Sequence, residues 1–496
     1  MLRSARTVPE GSTLRGDLCI VGAGAAGLTL ARSLAGSRQQ VILLESGGLQ
    51  PDRLTQSLYT GRIEGTGQAP LHASRLRYFG GTTNHWNGIC APFDAIDFER
   101  RPWVPDSGWP IARDSLDRYY REAQEICELG PYDYGEAAWG RFARTPEAFE
   151  EAGAEVALTQ HSPPTRFGER YRSDVEKSEN IQALLHANAL RLVPGENAQG
   201  VEEVEVTTLE GRRFSVAARR FVLACGAVEN ARLLLLSNGA RPEGLGNPHD
   251  LVGRYFLDHP RLRPAGAVLW TDTGMRRFAE AIVQDEVKAT LAVRFGAAVQ
   301  EREGMLQTGF FTSAWHGLAQ SQGLDDRDGA IVKWLQKLAG DDDPATLSVC
   351  WLRAEQAPRR ESRVRLGRET DALGQRRVAL EWRMGELDQH THERAVRLYA
   401  ELFTRTGAGR VRLAPEVLET PDDPWQRVTS DWHQMGTTRM ATNQREGVVD
   451  GDCRVFGVEN LYLAGASVFP TGGWMNPTLT LVALALRLAD HLRDVG

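Results

Sequence analysis

The stretch DLCIVGAGAAGLTLARSLAG at residues 17–36, followed by QQVILLESGG at residues 39–48, decides the fold of this chain. The apolar run from Leu18 to Val21 predicts a strand, and a helix is predicted from about Ala25 to Leu34. A second apolar run, from Val41 to Leu44, predicts another strand. Continuously apolar strands on either side of a helix are typical of a βαβ unit in a buried parallel sheet.

The turn between the first strand and the helix has the spacing GxGxxG, in Gly22, Gly24 and Gly27. The first glycine allows a tight turn, the second lets the backbone approach a pyrophosphate, and the third lets the helix pack on the strand. The free N–H groups of the helix N-terminus then face the phosphates. Glu45 has the spacing of a carboxylate that binds ribose hydroxyls. Glycine-rich turns also have purely structural roles, but here strand, helix and acidic residue agree on a dinucleotide site, for FAD or for NAD.

Two later segments resemble further parts of the same sheet. RRFVLACGAVENARLLLLS (219–237) predicts a strand at 221–225 and then a helix, and NLYLAGASVFP (460–470) predicts a strand at 461–464. The predicted fold class is therefore α/β, with a Rossmann-type dinucleotide-binding domain assembled from discontinuous segments. We assign residues 14–110, 180–260 and 445–496 to it.

The remaining residues, 111–179 and 261–444, are predicted to form an α+β substrate-binding domain. The first of these two segments is charged and predicted to be helical. The second contains alternating runs such as SRVRLGRE (362–369) and RRVALEWRM (376–384), which are typical of half-buried strands in an antiparallel sheet.

Composition excludes several classes of function. The formal net charge of −7 argues against a nucleic-acid-binding protein, which would be basic. Six widely separated cysteines fit neither a zinc site nor an iron–sulfur cluster, so no metal site is predicted. No secretory signal and no apolar stretch of membrane-spanning length occur. These features predict a cytoplasmic protein without a membrane partner.

Five motifs then occur in order along the chain. They are RYFGGTTNHWNG (77–88), VGRYFLDHP (252–260), HQMGTTRM (433–440), VVDGDCRVFGVENLYLAGAS (448–467) and NPTLT (476–480). Together with the glycine fingerprint, they resemble the glucose–methanol–choline (GMC) oxidoreductase family over nearly the whole chain. GGTTNHWNG is closer to the branch that oxidises sugars and polyols, including pyranose oxidase, than to the branch that oxidises aliphatic alcohols.

The resemblance implies FAD as cofactor and oxidation of a CH–OH group by hydride transfer to the flavin. It implies a catalytic pair at His433 and Asn476. A histidine can accept the alcohol proton near neutral pH, and an asparagine can hydrogen-bond the same oxygen. Asn476 also precedes a proline and an apolar helix, so N-capping is an alternative role for it. His259 is interpreted as structural.

The resemblance also implies a set of cofactor-binding residues: Gly22, Gly24, Ala26, Gly27, Glu45, Ser46, Arg77, Gly80, Gly81, Thr82, Asn84, His85, Asn87, Gly88, Ala224, Gly465, Ala466, Asn476, Pro477 and Thr478. At His85 it allows two roles, because some members attach the flavin covalently through a histidine there and others do not. Trp86 and Trp474 are candidates either for the substrate side of the flavin or for the core.

The predicted substrate is a sugar, a polyol or a glycosylated secondary metabolite, with O₂ or a soluble acceptor taking the electrons. Three alternatives are kept. The first is another flavoenzyme reaction on the same fold, such as a sterol oxidase or a decarboxylase. The second is an aliphatic or choline-type alcohol dehydrogenase, and the third is a flavin-binding protein without catalysis.

Overall fold

The computed structural model describes residues 1–65, 67–195, 199–239, 241–314, 347–413, 425 and 428–494. Three sheets and twelve helices are found in these residues. The helices are α1 (Ala25–Ser33), α2 (Arg53–Ser57), α3 (Ala95–Phe98), α4 (Asp117–Ile126), α5 (Glu136–Trp139), α6 (Glu147–Glu151), α7 (Phe167–Arg170), α8 (Arg172–Lys177), α9 (Ala227–Leu236), α10 (Ala297–Glu303), α11 (Glu386–Arg405) and α12 (Thr478–Asp494). None of the helices in this described part is both long and apolar enough to cross a membrane.

The first sheet has eight strands and contains every strand that the fingerprint stretch and its two companion segments predict. Its members are β1 (Leu2–Ser4), β2 (Thr13–Val21), β3 (Val41–Leu44), β7 (Ile181–Leu185), β8 (Asn188–Pro194), β9 (Val201–Thr207), β10 (Arg213–Leu223) and β20 (Leu461–Leu463). The order is β1-β7-β3-β2-β10-β9-β8, and β20 pairs with β10. β2 and β3 are parallel and are connected through α1, which confirms the βαβ unit.

The middle strand β10 joins segments that are distant in the sequence, because it pairs with β2, β9 and β20. Its first residues pair antiparallel with β9, and its last three pair parallel with β20. Both β2 and β10 begin earlier than the apolar runs predict, because their first halves are only partly buried and carry polar residues. The strand ends that face the predicted cofactor are the fully apolar parts.

The second sheet has nine strands, and all its pairings are antiparallel. They are β5 (Ile89–Cys90), β6 (Ala154–His161), β11 (Pro260–Trp270), β12 (Ile282–Gln284), β13 (Val287–Phe295), β14 (Thr308–Ala314), β15 (Leu347–Ala354), β18 (Gly409–Leu413) and β19 (Val428–Ser430). β6 lies in the segment predicted to be helical. That prediction was wrong for this stretch, because pairing with β13 along its whole length outweighs a weak local pattern.

The two alternating runs are strands, as predicted, but they do not join the large antiparallel sheet. β16 (Arg363–Thr370) and β17 (Arg376–Trp382) pair with each other, and β17 pairs in parallel with β4 (Arg62–Gly65). Since β16 also packs against α9, we propose that these two strands belong with the nucleotide-binding part. The other predicted domain bounds stay a proposal.

Candidate active site

A cavity of about 820 Å³ runs from the glycine fingerprint to His433 and Asn476. Most of the residues selected from the sequence line it: Gly22, Gly24, Ala26, Glu45, Gly81, Thr82, His85, Asn87, Ala224, His433, Gly465, Ala466, Asn476, Pro477 and Thr478. The others, Gly27, Ser46, Arg77, Gly80, Asn84 and Gly88, lie outside this wall. The cavity therefore joins residues that are more than 400 positions apart in the sequence.

The fingerprint end of the cavity has room for a pyrophosphate. At Gly22 a Cβ atom would lie 2.6 Å from the Ala224 carbonyl oxygen, and at Gly27 it would lie 1.9 Å from the Gly22 carbonyl oxygen. At Gly24 a Cβ would meet no atom within 4 Å. Gly24 precedes α1 and supplies no side-chain cap, so the first N–H groups of the helix are open to an anionic ligand.

Glu45 supports the fingerprint turn from the next strand. Its two carboxylate oxygens accept hydrogen bonds from the backbone N–H of Ala23 (3.0 Å) and of Gly47 (2.8 Å). Burial raises the pKa of Glu45. A carboxylate has lone pairs beyond the two used here, so ribose hydroxyls could still bind. Ser46 and Arg77 line a smaller neighbouring cavity of about 80 Å³, where Arg77 Nε donates to Ser46 Oγ at 2.6 Å.

Gly80, Asn84 and Gly88 shape the wall instead of lining it. Gly80 has a φ of 97° and donates its N–H to the Ala23 carbonyl, which holds this segment against the fingerprint. Asn84 Nδ2 donates to the Phe79 carbonyl at 2.9 Å. At Gly88, with a φ of 78°, a Cβ would lie 2.8 Å from the Ser162 carbonyl oxygen.

The part of the cavity wall around His433 is positioned by pairing of β19 with the start of β11. Pro260 is opposite Ser430 in this antiparallel ladder, and a further bridge joins Leu257 to Met435. The ladder brings the residues next to its end, His259 and His433, side by side. Their Nδ1 atoms are 2.8 Å apart and their rings are nearly perpendicular, at 82°.

The hydrogen bonds of His259 determine which nitrogen of His433 carries the proton. His259 Nε2 is 2.8 Å from the Gly473 carbonyl oxygen and 3.1 Å from that of Gly472, and a carbonyl can only accept. In neutral His259 the proton is therefore on Nε2, and Nδ1 accepts. His433 must then donate from Nδ1, which leaves its Nε2 unprotonated. Among the described residues, no hydrogen bond to that atom is formed.

Both imidazoles are held in the neutral form. Burial, together with the charge of Arg353, lowers the pKa of His259 to about 4. Burial and then the neighbouring His259 and Arg353 hold the pKa of His433 well below its usual value. At neutral pH His433 is thus a free base without prior loss of a proton.

Asn476 is fixed by a charged partner that the sequence did not suggest. Its Oδ1 accepts a hydrogen bond from Arg353 Nη1 at 2.7 Å. That bond uses one of the two lone pairs of the oxygen, and among the described residues no N–H of α12 donates to it, so the geometry disfavours the capping role. The Nδ2 group is left as a donor, with a long 3.5 Å contact to Asn87 Oδ1.

Arg353, Arg261 and Asp431 form a charged cluster in the cavity wall. Arg353 Nε donates to Asp431 Oδ2 at 2.5 Å, and Arg261 Nη1 is 2.9 Å from Asp431 Oδ1. Burial alone would raise the pKa of Asp431, but the two arginines lower it to about 2. Sequence reasoning missed these residues, and only the positions of Asp431 beside HQMGTTRM and Arg261 beside VGRYFLDHP hinted at them.

The structure separates the two roles that the sequence left open for the tryptophans. Trp86 lines the cavity, with Nε1 donating to the Thr165 carbonyl. Trp474 is a core residue, packed on Phe311 and absent from the cavity wall. Trp432, which the sequence analysis passed over, lines the cavity and is 45% exposed with a φ of 64°. Its ring stacks on His85, with centroids 5.9 Å apart.

The fold and the site define a flavin-type nucleotide-binding protein whose cavity is lined by both the glycine fingerprint and His433. A family model described as FAD dependent oxidoreductase matches residues 17–245, and one described as GMC oxidoreductase matches residues 358–485. The chain is therefore an FAD-dependent oxidoreductase that acts on CH–OH donors.

Comparison with individual proteins shows which members of this enzyme class the chain resembles. A C-glycoside 3-oxidase of Arthrobacter globiformis is 33% identical, over 84% of this chain and 73% of that protein. The fructose dehydrogenase large subunit of Gluconobacter japonicus is 23% identical, over 97% of this chain and 98% of that protein. The solved pyridoxine 4-oxidase from Mesorbium loti has the same fold, with a TM-score of 0.60 at 18% identity over 96% of this chain and 99% of that one. The chain belongs to the GMC oxidoreductase family, near its sugar branch.

Proposed function

We propose that this protein oxidises a CH–OH group of a sugar, a polyol or a glycosylated secondary metabolite to the carbonyl, with His433 as the base. The names of two relatives, a C-glycoside oxidase and a fructose dehydrogenase, support the substrate class. The observation that carries the proposal is the hydrogen bond between His259 and His433, because it leaves an unprotonated imidazole nitrogen at a cavity wall.

The residues present fit FAD at the other end of the cavity. Gly24 leaves space where a pyrophosphate would approach the backbone, α1 offers uncapped N–H groups, and Glu45 is within the wall. At the third segment the chain has Gly465-Ala466, so backbone atoms and no carboxylate would meet the cofactor there. When bound, FAD accepts the hydride that leaves the carbinol carbon.

The protein's own groups then perform three tasks. His433 Nε2 takes the hydroxyl proton, so that the carbinol oxygen becomes the carbonyl oxygen of the product. The Asn476 Nδ2 group donates to that oxygen and orients the C–H bond. Arg353 keeps Asn476 in place by donating a hydrogen bond from Nη1 to the Asn476 Oδ1 atom. One proton and one hydride leave the alcohol, which balances a two-electron oxidation.

We expect anaerobic addition of a suitable sugar or glycoside to bleach the yellow flavin absorbance of the purified protein. The measurement is an absorbance spectrum with a panel of sugars, glycosides and simple alcohols, followed by readmission of air. Rapid return of colour indicates O₂ as the acceptor, and slow return indicates a soluble acceptor. Bleaching only by aliphatic alcohols would contradict the proposed substrate class.

The two roles of His85 make different predictions for denatured protein. Its ring lines the cavity, and partial burial lowers its pKa, so a neutral imidazole nitrogen is available toward the cofactor. If His85 carries the flavin through a covalent bond, an acid-treated denaturing gel shows flavin fluorescence on the protein band. If the ring only packs beside the flavin, the fluorescence runs free of the chain. His85→Ala must abolish any fluorescence on the band, and Trp86→Ala, a change at the adjacent cavity residue, must not.

A further inference from the structure

Two positively charged side chains face each other in the substrate part of the cavity. Arg261 on β11 and Arg353 on β15 are direct partners in the antiparallel ladder. Like charges at directly opposite positions of a sheet are destabilising. Both also line the cavity, and Arg353 is bonded to Asn476 of the predicted catalytic pair. An arrangement that costs stability beside the reacting groups calls for a functional reason.

The charge of this pair is only half compensated. Among the described residues, Asp431 is the one carboxylate bonded to both arginines, and its lowered pKa keeps it ionised. The Nε atom of Arg261 is buried and finds no hydrogen-bond partner among the described residues, although that side chain is 31% exposed overall. The charges of Arg261, Arg353 and Asp431 thus sum to one net positive charge, and Arg261 is the more exposed of the two arginines, at 31% against 6%.

Within the described cavity wall, no further carboxylate pairs with this cluster, and Asp258, whose charge interacts with that of Asp431, lies behind the wall. His259 and His433 are neutral at pH 7, as their lowered pKa values require. Asp258 is fully buried outside the wall, and its oxygens accept from the backbone N–H of His259 and His433 and from Gln68 Nε2. Within the described wall, Arg75 is paired with Glu229, and Glu45 belongs to the fingerprint end.

We propose that Arg261 and Arg353 bind a carboxylate of the substrate, so that the preferred substrate is a sugar acid or the glycoside of one. This proposal rests on the proposed function, since it names the substrate class of the same site. Guanidinium groups bind carboxylates through paired, charge-assisted hydrogen bonds. The same positive charge disfavours choline-like cations.

The test compares matched neutral and acidic substrates with the FAD-containing enzyme. The pairs are D-glucose with D-glucuronate, D-galactose with D-galacturonate, and methyl β-D-glucoside with methyl β-D-glucuronide. The anaerobic rate of flavin reduction gives an efficiency for each. We expect the acid to exceed its neutral partner by tenfold or more in at least one pair, and this preference to shrink as ionic strength rises.

Two substitutions test whether the preference for acidic substrates comes from Arg261 and its partners. Arg261→Gln lowers the acid-to-neutral ratio of efficiencies at least tenfold. Arg191→Gln removes a charge from an exposed ion pair with Glu205 on β8 and β9, and it leaves the ratio unchanged. Because the readout is a ratio within one protein, a general loss of folding or of flavin does not mimic the effect.

Each other outcome has a distinct meaning. If neutral sugars reduce the flavin as well as the acids, the proposed function stands and the carboxylate site is overturned. An equal loss on both substrates in Arg261→Gln also overturns it, because the arginines then serve the flavin or the fold. If no member of any pair reduces the flavin, we titrate the flavin absorbance with D-glucuronate and D-glucose. A spectral shift with the acid alone supports the anion site while the oxidation fails, and no shift overturns the site.

Discussion

His433→Ala is expected to lower the rate constant of flavin reduction at saturating substrate by roughly a hundredfold or more, the range of a positioned general base. The physical reason is that the carbinol proton loses its acceptor, since Nε2 of His433 is the unprotonated nitrogen in the cavity wall. The protein should stay yellow, because His433 is not part of the glycine turn and α1 N-terminus that would hold the pyrophosphate. Stopped-flow absorbance under anaerobic conditions measures the rate constant.

The matched control is His390→Ala, which removes an exposed imidazole on α11 that hydrogen-bonds the Glu303 carbonyl. That variant should reduce its flavin at the wild-type rate. Flavin reduction by His433→Ala within a few-fold of wild type would refute the assignment of the base, whatever the change in KM.

The pH profile of the wild-type protein gives a second measure of the same residue. The pKa of His433 in the folded protein is lowered, first by burial and then by His259 and Arg353. A lowered pKa keeps the base neutral as the pH falls through 6.5, where an unperturbed histidine would take up a proton. We therefore expect kcat/KM to stay level across that pH and to decline only in more acidic solution. A decline centred at 6.5 would mean that His433 is not the titrating base.

The lowered pKa values of the two histidines also make the stability of the protein depend on pH. Unfolded His259 and His433 bind protons below their ordinary pKa, whereas the folded pair stays neutral to a lower pH. Protons that only the unfolded chain binds stabilise the unfolded state. These two residues therefore lower the free energy of unfolding as the pH falls from about 6.5 toward 4.

Local pattern was sufficient to predict the parts of the site that depend on backbone shape. The GxGxxG spacing and the apolar runs beside it specify β2, α1 and β3, because tight turns and buried strands leave a direct signature in residue type. The motif around His433 and the NPTLT run indicated two residues that the fold brings into one cavity. For these, the sequence carries the information within a few neighbouring positions.

The parts that were missed depend on pairing between distant strands. Arg261 and Arg353 become neighbours only because β11 and β15 adopt one particular register, which no local pattern reports. His259 was interpreted as structural, but its hydrogen bond to His433, 174 positions away, was not predicted. The sequence left Trp474 open between the substrate side and the core, and its burial against Phe311 assigns it to the core. Long-range pairing decides such contacts.

Substitutions at two fingerprint glycines should separate cofactor binding from folding. In Gly24→Ala the new methyl group meets no protein atom within 4 Å and projects into the cavity, and the φ of −82° suits alanine. We expect an unchanged melting temperature of the apoprotein and an FAD affinity weakened by roughly ten- to a hundredfold, which corresponds to about 1–3 kcal/mol. The methyl group occupies the place where the pyrophosphate would approach the backbone.

Gly27→Ala should act through the fold instead. Its methyl group would lie 1.9 Å from the Gly22 carbonyl oxygen, so α1 must move away from β2, at a cost of about 1–3 kcal/mol or more for overpacking. The apoprotein should melt at a lower temperature, and FAD binding should be weakened because the fold is destabilised.

Gly296→Ala is the control for both substitutions. Gly296 also precedes a helix and has a negative φ, and an added Cβ would come no closer than 3.7 Å to its neighbour. Thermal melts of the apoprotein measure the melting temperature, and FAD titrations measure the affinity for the cofactor. Undiminished FAD affinity in Gly24→Ala would mean that the pyrophosphate does not bind at this turn, because a pyrophosphate bound here would meet the added methyl group.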